Sequence, residues 1–282
     1  MRKIKNVYFI VFWIFFMIHS GYSQTSPFKE CMELFNKNDF KNAYNCFIKV
    51  TNSSVRQDAL FFAAQSAINI KKNEDAKKIL YQLIKAEYNS PQIYLLLASL
   101  YANDPQKMNA IYRDGNKRFP ESMDILVGII NHSLGQGQYQ DVIKYTGMAL
   151  KINSTNKTMH FARAFAYEMV KEPEKALESY KKAIKIDPDY FNAYFNVSAI
   201  YFNKALEHLN KANYSMNDKI YNQERLKAKE YFKLSLPYLE KAHKLNPDDK
   251  DTIESLKGVY QKLDMTEPYN KLMEEIKKEK KK

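Results

Sequence analysis

Glycine is scarce in this chain, with 7 residues in 282. Sheet proteins need many turns, so few glycines and few Asn-Gly hairpin signals argue against an all-β architecture and leave all-α as the default. The phosphate-binding glycine loop is missing, and Gly135-Gln136-Gly137 reads as a turn between helices. No G-x-S-x-G elbow occurs, and none of the five histidines (His19, His132, His160, His208, His243) has the H-E-x-x-H spacing of a metal site. Carboxylates abound as on any charged helix, so pairing two of them as acid and base is arbitrary. The reading is a non-enzyme with no cofactor and no metal.

What is present is apolar mass and positive charge. Hydrophobic residues make up 45% of the chain, enough to bury a sizeable core, and tyrosine occurs 21 times. The formal net charge is +12. Basic chains bind nucleic acid, anionic lipid or acidic partners, and the plainer alternative is a lysine-rich solvated surface. Residues 1–23 read as an export signal: Arg2, Lys3 and Lys5 precede an unbroken apolar run from Val7 to Ile18, then Gly21 and Ser23 stand before Gln24. The run is short for a membrane span, which needs about 20 apolar residues, although an uncleaved anchor is the competing reading. Removing Arg2, Lys3 and Lys5 with that segment leaves a net charge of +9. The two cysteines, Cys31 and Cys46, follow closely, and an oxidising compartment would permit a disulfide between them. Two small buried thiols are the alternative, and plain packing is favoured.

The chain has an internal period. In the segment from Lys175 to Pro188, Ala176 is followed by Tyr180 four residues on, Ala183 three further and Pro188 five further, with Ala164 and Tyr167 before it. The small residue recurs as Ala43 and Ala76, with Met108 or Ala110 and Val142 between. The aromatic or aliphatic partner recurs as Phe47, Leu80 and Tyr112, and the closing proline as Pro120 and Pro247. Tyr94, Tyr101, Tyr194, Tyr201 and Tyr260 mark the first helices, and Ala242 precedes Pro247. Steps of about 33 or 34 residues separate these marks. The pattern resembles the tetratricopeptide repeat over about residues 25–282. That resemblance implies an all-α, right-handed superhelical solenoid of antiparallel helix pairs in about seven units. Each pair is too small to bury its apolar face alone, so neighbours must stack.

The units are placed near 25–56, 57–90, 91–120, 121–156, 157–190 and 191–249, forming a solenoid over 24–249. The sixth closes late, and its polar extra segment at about 204–228 reads as a lengthened helical hairpin turning at Tyr214 to Asp218. Pro237 should kink its second helix. Residues 250–282 read as a capping helix pair with a basic tail. A long-hairpin repeat followed by a cap resembles the C-terminal half of many exported bacterial repeat proteins. In the repeat register Cys31 and Cys46 sit midway along the two helices of the first pair, at nearly equal distance from its turn.

In the tetratricopeptide family the first helix of each repeat lines a concave face that holds partners. Carried onto this chain, those positions include Phe61, Gln65, Leu95, Asn131, Phe161, Phe165, Phe195 and Phe202, a largely apolar and aromatic set. A register error of one residue would move several of them into the core. The Lys positions with which peptide-binding members clamp a terminal carboxylate read Phe61, Leu95, Val127, Phe161 and Phe195, so that clamp is not carried over. The resemblance therefore implies a protein-interaction scaffold of the bacterial cell envelope, periplasmic, at the outer envelope or secreted. Its partner would be another protein or a peptide, with self-association open. Binding of nucleic acid or an anionic envelope polymer is the alternative.

Overall fold

The computed structural model describes residues 26–279, with side chains from 27 to 277. The expected export segment 1–23 and the final basic residues 280–282 lie outside the described residues. Fourteen α-helices and no strand occur among the described residues. They fall into two compact units, one ending at Asn89 and one beginning at Ser90.

The first unit contains α1 (Ser26–Asn36), α2 (Phe40–Phe47), α3 (Arg56–Asn69) and α4 (Asn73–Lys85). The second contains α5 (Gln92–Ser99), α6 (Pro105–Arg118), α7 (Met123–Gly135), α8 (Tyr139–Ile152), α9 (Lys157–Met169) and α10 (Pro173–Ile186). It continues through α11 (Phe191–Asn213), α12 (Asp218–Leu245), α13 (Lys250–Lys262) and α14 (Thr266–Glu279). All are α-helices, as the composition implies, and within each unit neighbours in sequence are neighbours in space.

One turn geometry recurs inside five of the pairs. Asn38, Lys71, Lys171 and Asp264 adopt φ values of 60°, 60°, 60° and 59°, and Gly137 adopts 68°. The following N–H reaches a carbonyl five residues back: Asp39 to Leu34, Lys72 to Ala67, Gln138 to Ser133, Glu172 to Tyr167 and Met265 to Tyr260. This left-handed helix end satisfies carbonyls that the helix leaves open. Glycine is the usual occupant, yet only Gly137 supplies one, so the other four turns hold an ordinary residue at a cost of roughly 1–2 kcal/mol each. The scarcity of glycine is thus tolerated at the turns.

The α9–α10 pair shows how the repeat residues produce packing. Pro173 opens α10 with its fixed φ, Glu174 lies in the first turn and Lys185 in the last, both favoured by the helix dipole. Ala176, Leu177, Tyr180 and Ala183 share one face, and all are buried with Ala164, Ala193 and Val197. The small side chains let helices approach, and Tyr180 fills the space between them. Ala43, Ala76 and Ala242 are likewise buried, Tyr167 and Tyr201 are half-buried, and Pro188 and Pro247 are exposed just beyond helix ends. In the α5–α6 pair neither Met108 nor Ala110 is buried; Ile111 and Gly115 are. A Cβ on Gly115 would stand 2.8 Å from Tyr94 Cγ, and one on Gly128 would stand 2.7 Å from Tyr112 Cε1. Both glycines are therefore required by a tyrosine ring packed against the backbone.

In the first unit Phe47 packs against Phe28, Phe35 and Phe62 with ring centroids 5.6–6.3 Å apart. Where plain packing of the cysteines was favoured, the structure joins Cys31 to Cys46 in a disulfide with Cα atoms 5.3 Å apart. The two stand at the same level because each lies a similar distance from the turn at Asn38, although Cys46 is next to last in α2. α12 continues as helix through Pro237.

Candidate functional site

The first-helix residues projected from the repeat register do not form a row of free rings. In the first unit Phe61 lies against Phe62 and Tyr88, each with centroids 5.6 Å away, and Gln65 is half-buried. In the second unit Leu95 is half-buried on α5 and Asn131 is exposed on α7. On α9, Phe161 packs on Tyr180 and Tyr190, both at 5.2 Å, and Phe165 meets the edge of Tyr139 at 6.0 Å. On α11, Phe195 stacks with Phe191 at 6.3 Å, while Phe202 joins Phe232 at 5.4 Å in the α11–α14 core. These aromatics are half-buried, each with part of its surface against a neighbour. The register supplied a helix face but not the rings that the next helix places against it.

Beneath that face the buried Tyr180 links two half-buried polar side chains. Tyr180 donates its hydroxyl hydrogen to Glu168 Oε2 at 3.1 Å and accepts one from Asn196 Nδ2 at 3.0 Å. Burial pushes the Glu168 carboxyl up to about 7, against the opposing pull of the Tyr180 hydrogen bond. Burial also drives the Tyr180 phenol far above its usual range, with the Glu168 carboxylate adding to the shift. A phenol that resists ionisation donates without releasing a proton, so Tyr180 serves here to fix how α9, α10 and α11 pack.

The α11–α12 hairpin carries a second row of rings. Tyr194, Tyr238, Tyr201, Tyr231 and His208 follow one another at 6.2, 6.0, 6.5 and 5.3 Å. Lys241, Lys181 and Lys204 sit over them. These lysines are engaged: Lys181 donates to the Tyr201 hydroxyl at 2.8 Å, Lys204 pairs with Glu174 at 2.6 Å and Lys241 with Asp189 at 3.0 Å. Further out, His208 Nδ1 meets Glu224 Oε2 at 2.6 Å, and Lys227 reaches the other carboxylate oxygen at 2.8 Å. The Lys227 and His208 hydrogen bonds hold the Glu224 carboxyl down at about 2. A shallow hollow of about 450 Å³ beside this group is lined by His208, Lys227, Glu230, Tyr231 and Leu234.

Among the described residues, large apolar side chains reach solvent mainly on this hairpin. Tyr214 and Met216 are fully extended into solvent, at 89% and 105% exposure, and Leu226 is 65% exposed, with Leu206, Ile220 and Leu234 also open. The sequence signal for them was apolar residues inside a polar insertion that no further helix is placed to cover. Among the described residues, no group of three or more His, Cys, Asp or Glu is gathered as a metal site. No described helix is long and apolar enough to cross a membrane.

Comparison with known proteins identifies the repeat. A family described as TPR repeat matches residues 172–205, the α10 segment and the first turns of α11. No curated protein matches the chain. Among solved structures, the C-terminal part of a TPR repeat-containing protein from Cytophaga hutchinsonii is 18% identical, with 81% of this chain and 99% of that one covered at a TM-score of 0.52. MamA from Desulfovibrio magneticus RS-1 is 16% identical, with 69% and 97% covered and a TM-score of 0.47. YrrB, titled a TPR protein with an unusual peptide-binding site, is 15% identical, with 59% and 88% covered and a TM-score of 0.47. The chain has the tetratricopeptide-repeat fold and carries the repeat itself at 172–205.

Proposed function

We propose that this tetratricopeptide-repeat protein is a non-catalytic scaffold of the bacterial cell envelope that holds a segment of another protein along the first helices of its repeats. The fold supports a protein-interaction role, because stacked helix pairs offer contact area along one axis to an extended or helical ligand. The observation that carries the placement is the half-buried aromatic character of α9 and α11. Phe161, Phe165 and Phe195 are anchored on one side and open on the other, which suits a contact that must lose little side-chain entropy on binding. Asn131 on α7 adds an exposed amide to the same face of the repeat register. An envelope location is supported by Arg2, Lys3 and Lys5 ahead of the Val7–Ile18 run.

A photoreactive side chain placed in turn at Asn131, Phe165 and Lys185 tests the placement in intact cells. The expected result is one protein partner captured from Asn131 and Phe165 and not from Lys185 on α10. Equal capture from Lys185 would sink the placement. The first residue of the protein recovered from the envelope tests export, with Gln24 expected. The net charge of +12 favours a second reading, binding of nucleic acid or an anionic polymer. Retention of RNA that weakens steeply with salt would select it.

A further inference from the structure

The outer end of the α11–α12 hairpin is built unlike the rest of the second unit. Ala212 is the last buried side chain of α11 and Ala228 the first of α12; between them only Ser215, Tyr221, Glu224 and Lys227 are even half-buried. A free polar loop would be the ordinary way to turn two helices in water. Here the turn displays Tyr214 and Met216, with Ile220 on the first turn of α12.

The display is fixed rather than slack. The Asn217 N–H donates to Ser215 Oγ at 3.1 Å, and the Ser215 hydroxyl donates to the Asn217 carbonyl at 3.2 Å. Asn217 Oδ1 then accepts the N–H groups of Lys219 and Ile220, capping α12. Ordering the apex on binding therefore costs little entropy. Its shape is convex, with apolar side chains pointing outward from a two-helix tip. A protein partner would need a matching cavity to bury them, whereas a lipid interface deforms around them.

The charges around the apex agree. Lys204, Lys227 and Lys229 are paired with Glu174, Glu224 and Asp264, which leaves Lys211, Lys219 and Arg225 as the cations nearest the apex, with Asp218 and Glu224 as the anions. Glu224 is engaged by His208 and Lys227, and Asp218 begins a helix whose N-terminal dipole offsets its charge. Lys211 and Lys219 are exposed and form no ion pair among the described residues. Their long side chains can lie along an apolar surface with the ammonium in the headgroup layer.

We propose that this apex is a membrane-docking tip: Tyr214, Met216 and Ile220 enter the interface of an anionic lipid bilayer while Lys211, Lys219 and Arg225 contact its headgroups. Tyrosine suits that depth because its ring is apolar and its hydroxyl stays wet. Three partly inserted side chains and a few cations give reversible attachment rather than a permanent anchor. The tip acts independently of the protein-binding face of the repeats.

The test is made in the full chain, whose apolar run at Val7–Ile18 can itself bind lipid, so it reads the apex and not total binding. Met216→Cys is labelled with nitrobenzoxadiazole, the native cysteines being joined to each other, and Lys185→Cys carries the same label as reference. Phosphatidylcholine vesicles are used with and without about 30% phosphatidylglycerol. A blue-shifted, lipid-quenched signal at 216 with the anionic vesicles, and none at 185, is expected. Adding Tyr214→Ser and Ile220→Ser should weaken the shift about tenfold in lipid concentration, and raised salt should weaken it as well. An unchanged signal at 216 would overturn the proposal. So would equal shifts at 216 and 185, or a shift at 216 that follows protein concentration without vesicles, which would assign the tip to a second copy of the chain.

Discussion

Between α9 and α10 the polar contacts lie inside the packing, whereas between the outer halves of α11 and α12 they lie at its rim. In the first pair Tyr180 is fully buried with Glu168 and Asn196 on its hydroxyl, under alanines that bring the helices together. In the second, His208, Glu224 and Lys227 clasp the two helices near the surface, and Leu226, Met216 and Tyr214 face water. Both are antiparallel pairs from one chain, yet one is held by shape and the other by a polar clasp. Removing a buried group leaves a cavity or an unmet hydrogen bond, whereas removing an exposed one leaves a site that water refills. The contrast predicts a graded series of substitutions.

The largest effect belongs to Tyr180. Tyr180→Ala should cost about 3–5 kcal/mol, since it opens a ring-sized void and strands both Glu168 and Asn196. Thermal unfolding followed by circular dichroism measures it; a loss below about 1 kcal/mol would mean that the pair does not depend on its buried ring.

Glu168 comes next, and its effect has a sign in pH. Burial raises its carboxyl from the ordinary 4.5 to about 7, so the folded state favours the protonated form. The stability this gives is complete below about 4.5 and is lost as pH rises through about 7. Glu168→Gln keeps an acceptor for Tyr180 and removes the charge. It should stabilise the protein by about 1–3 kcal/mol above pH 7 and flatten the profile between the two values. Denaturant midpoints at pH 5 and pH 8 give the comparison; equal midpoints for the native residue at both would refute the buried charge.

The repeat was legible because alanine and tyrosine at fixed spacing have one dominant use in paired helices, and Ala43, Ala76, Ala176, Tyr180 and Ala183 are buried accordingly. The hairpin was legible for the opposite reason, a late closing Pro247 after a polar insertion. Glu168 was not, since an isolated acid on a helix looks solvated until Tyr180 is placed over it. The Cys31–Cys46 bond was open for the same reason: spacing sets the level of two side chains along antiparallel helices but not their mutual facing. Gly115 and Gly128 were missed because their meaning resides in Tyr94 and Tyr112, one helix away. The site was the least legible part. Phe61, Phe161 and Phe202 were placed on the first helices, but their partners Tyr88, Tyr190 and Phe232 emerge only when the helices fold together.

The clasp on the hairpin should act locally. The Glu224 carboxyl is held at about 2, below the ordinary 4.5, so its contribution is present above about 4.5 and fades as pH falls through about 2. Glu224→Gln removes the charged acceptor for His208 and Lys227. Amide exchange should then quicken from Ala205 to Phe232 at neutral pH, with α9 and α10 unchanged. Uniform quickening would show that the clasp supports the whole unit; no change would show that the hairpin is held by Ala212 and Ala228 alone.

The smallest effect is expected at the tip, and its smallness is the point. Tyr214 buries almost nothing and Leu226 is 65% exposed, so Tyr214→Ser and Leu226→Ser should move stability by no more than about 0.5 kcal/mol. A ring at 89% exposure that contributes nothing to folding is either incidental or kept for a contact outside the chain. Thermal unfolding of the two variants decides whether these side chains contribute to folding. A loss above about 1 kcal/mol would mean that the apex rings help to close the hairpin, and the contrast with Tyr180 would then be one of degree. Unchanged stability frees the apex rings from any folding role, the condition that a docking tip must meet, and the label at Met216→Cys then separates an incidental display from a contact outside the chain.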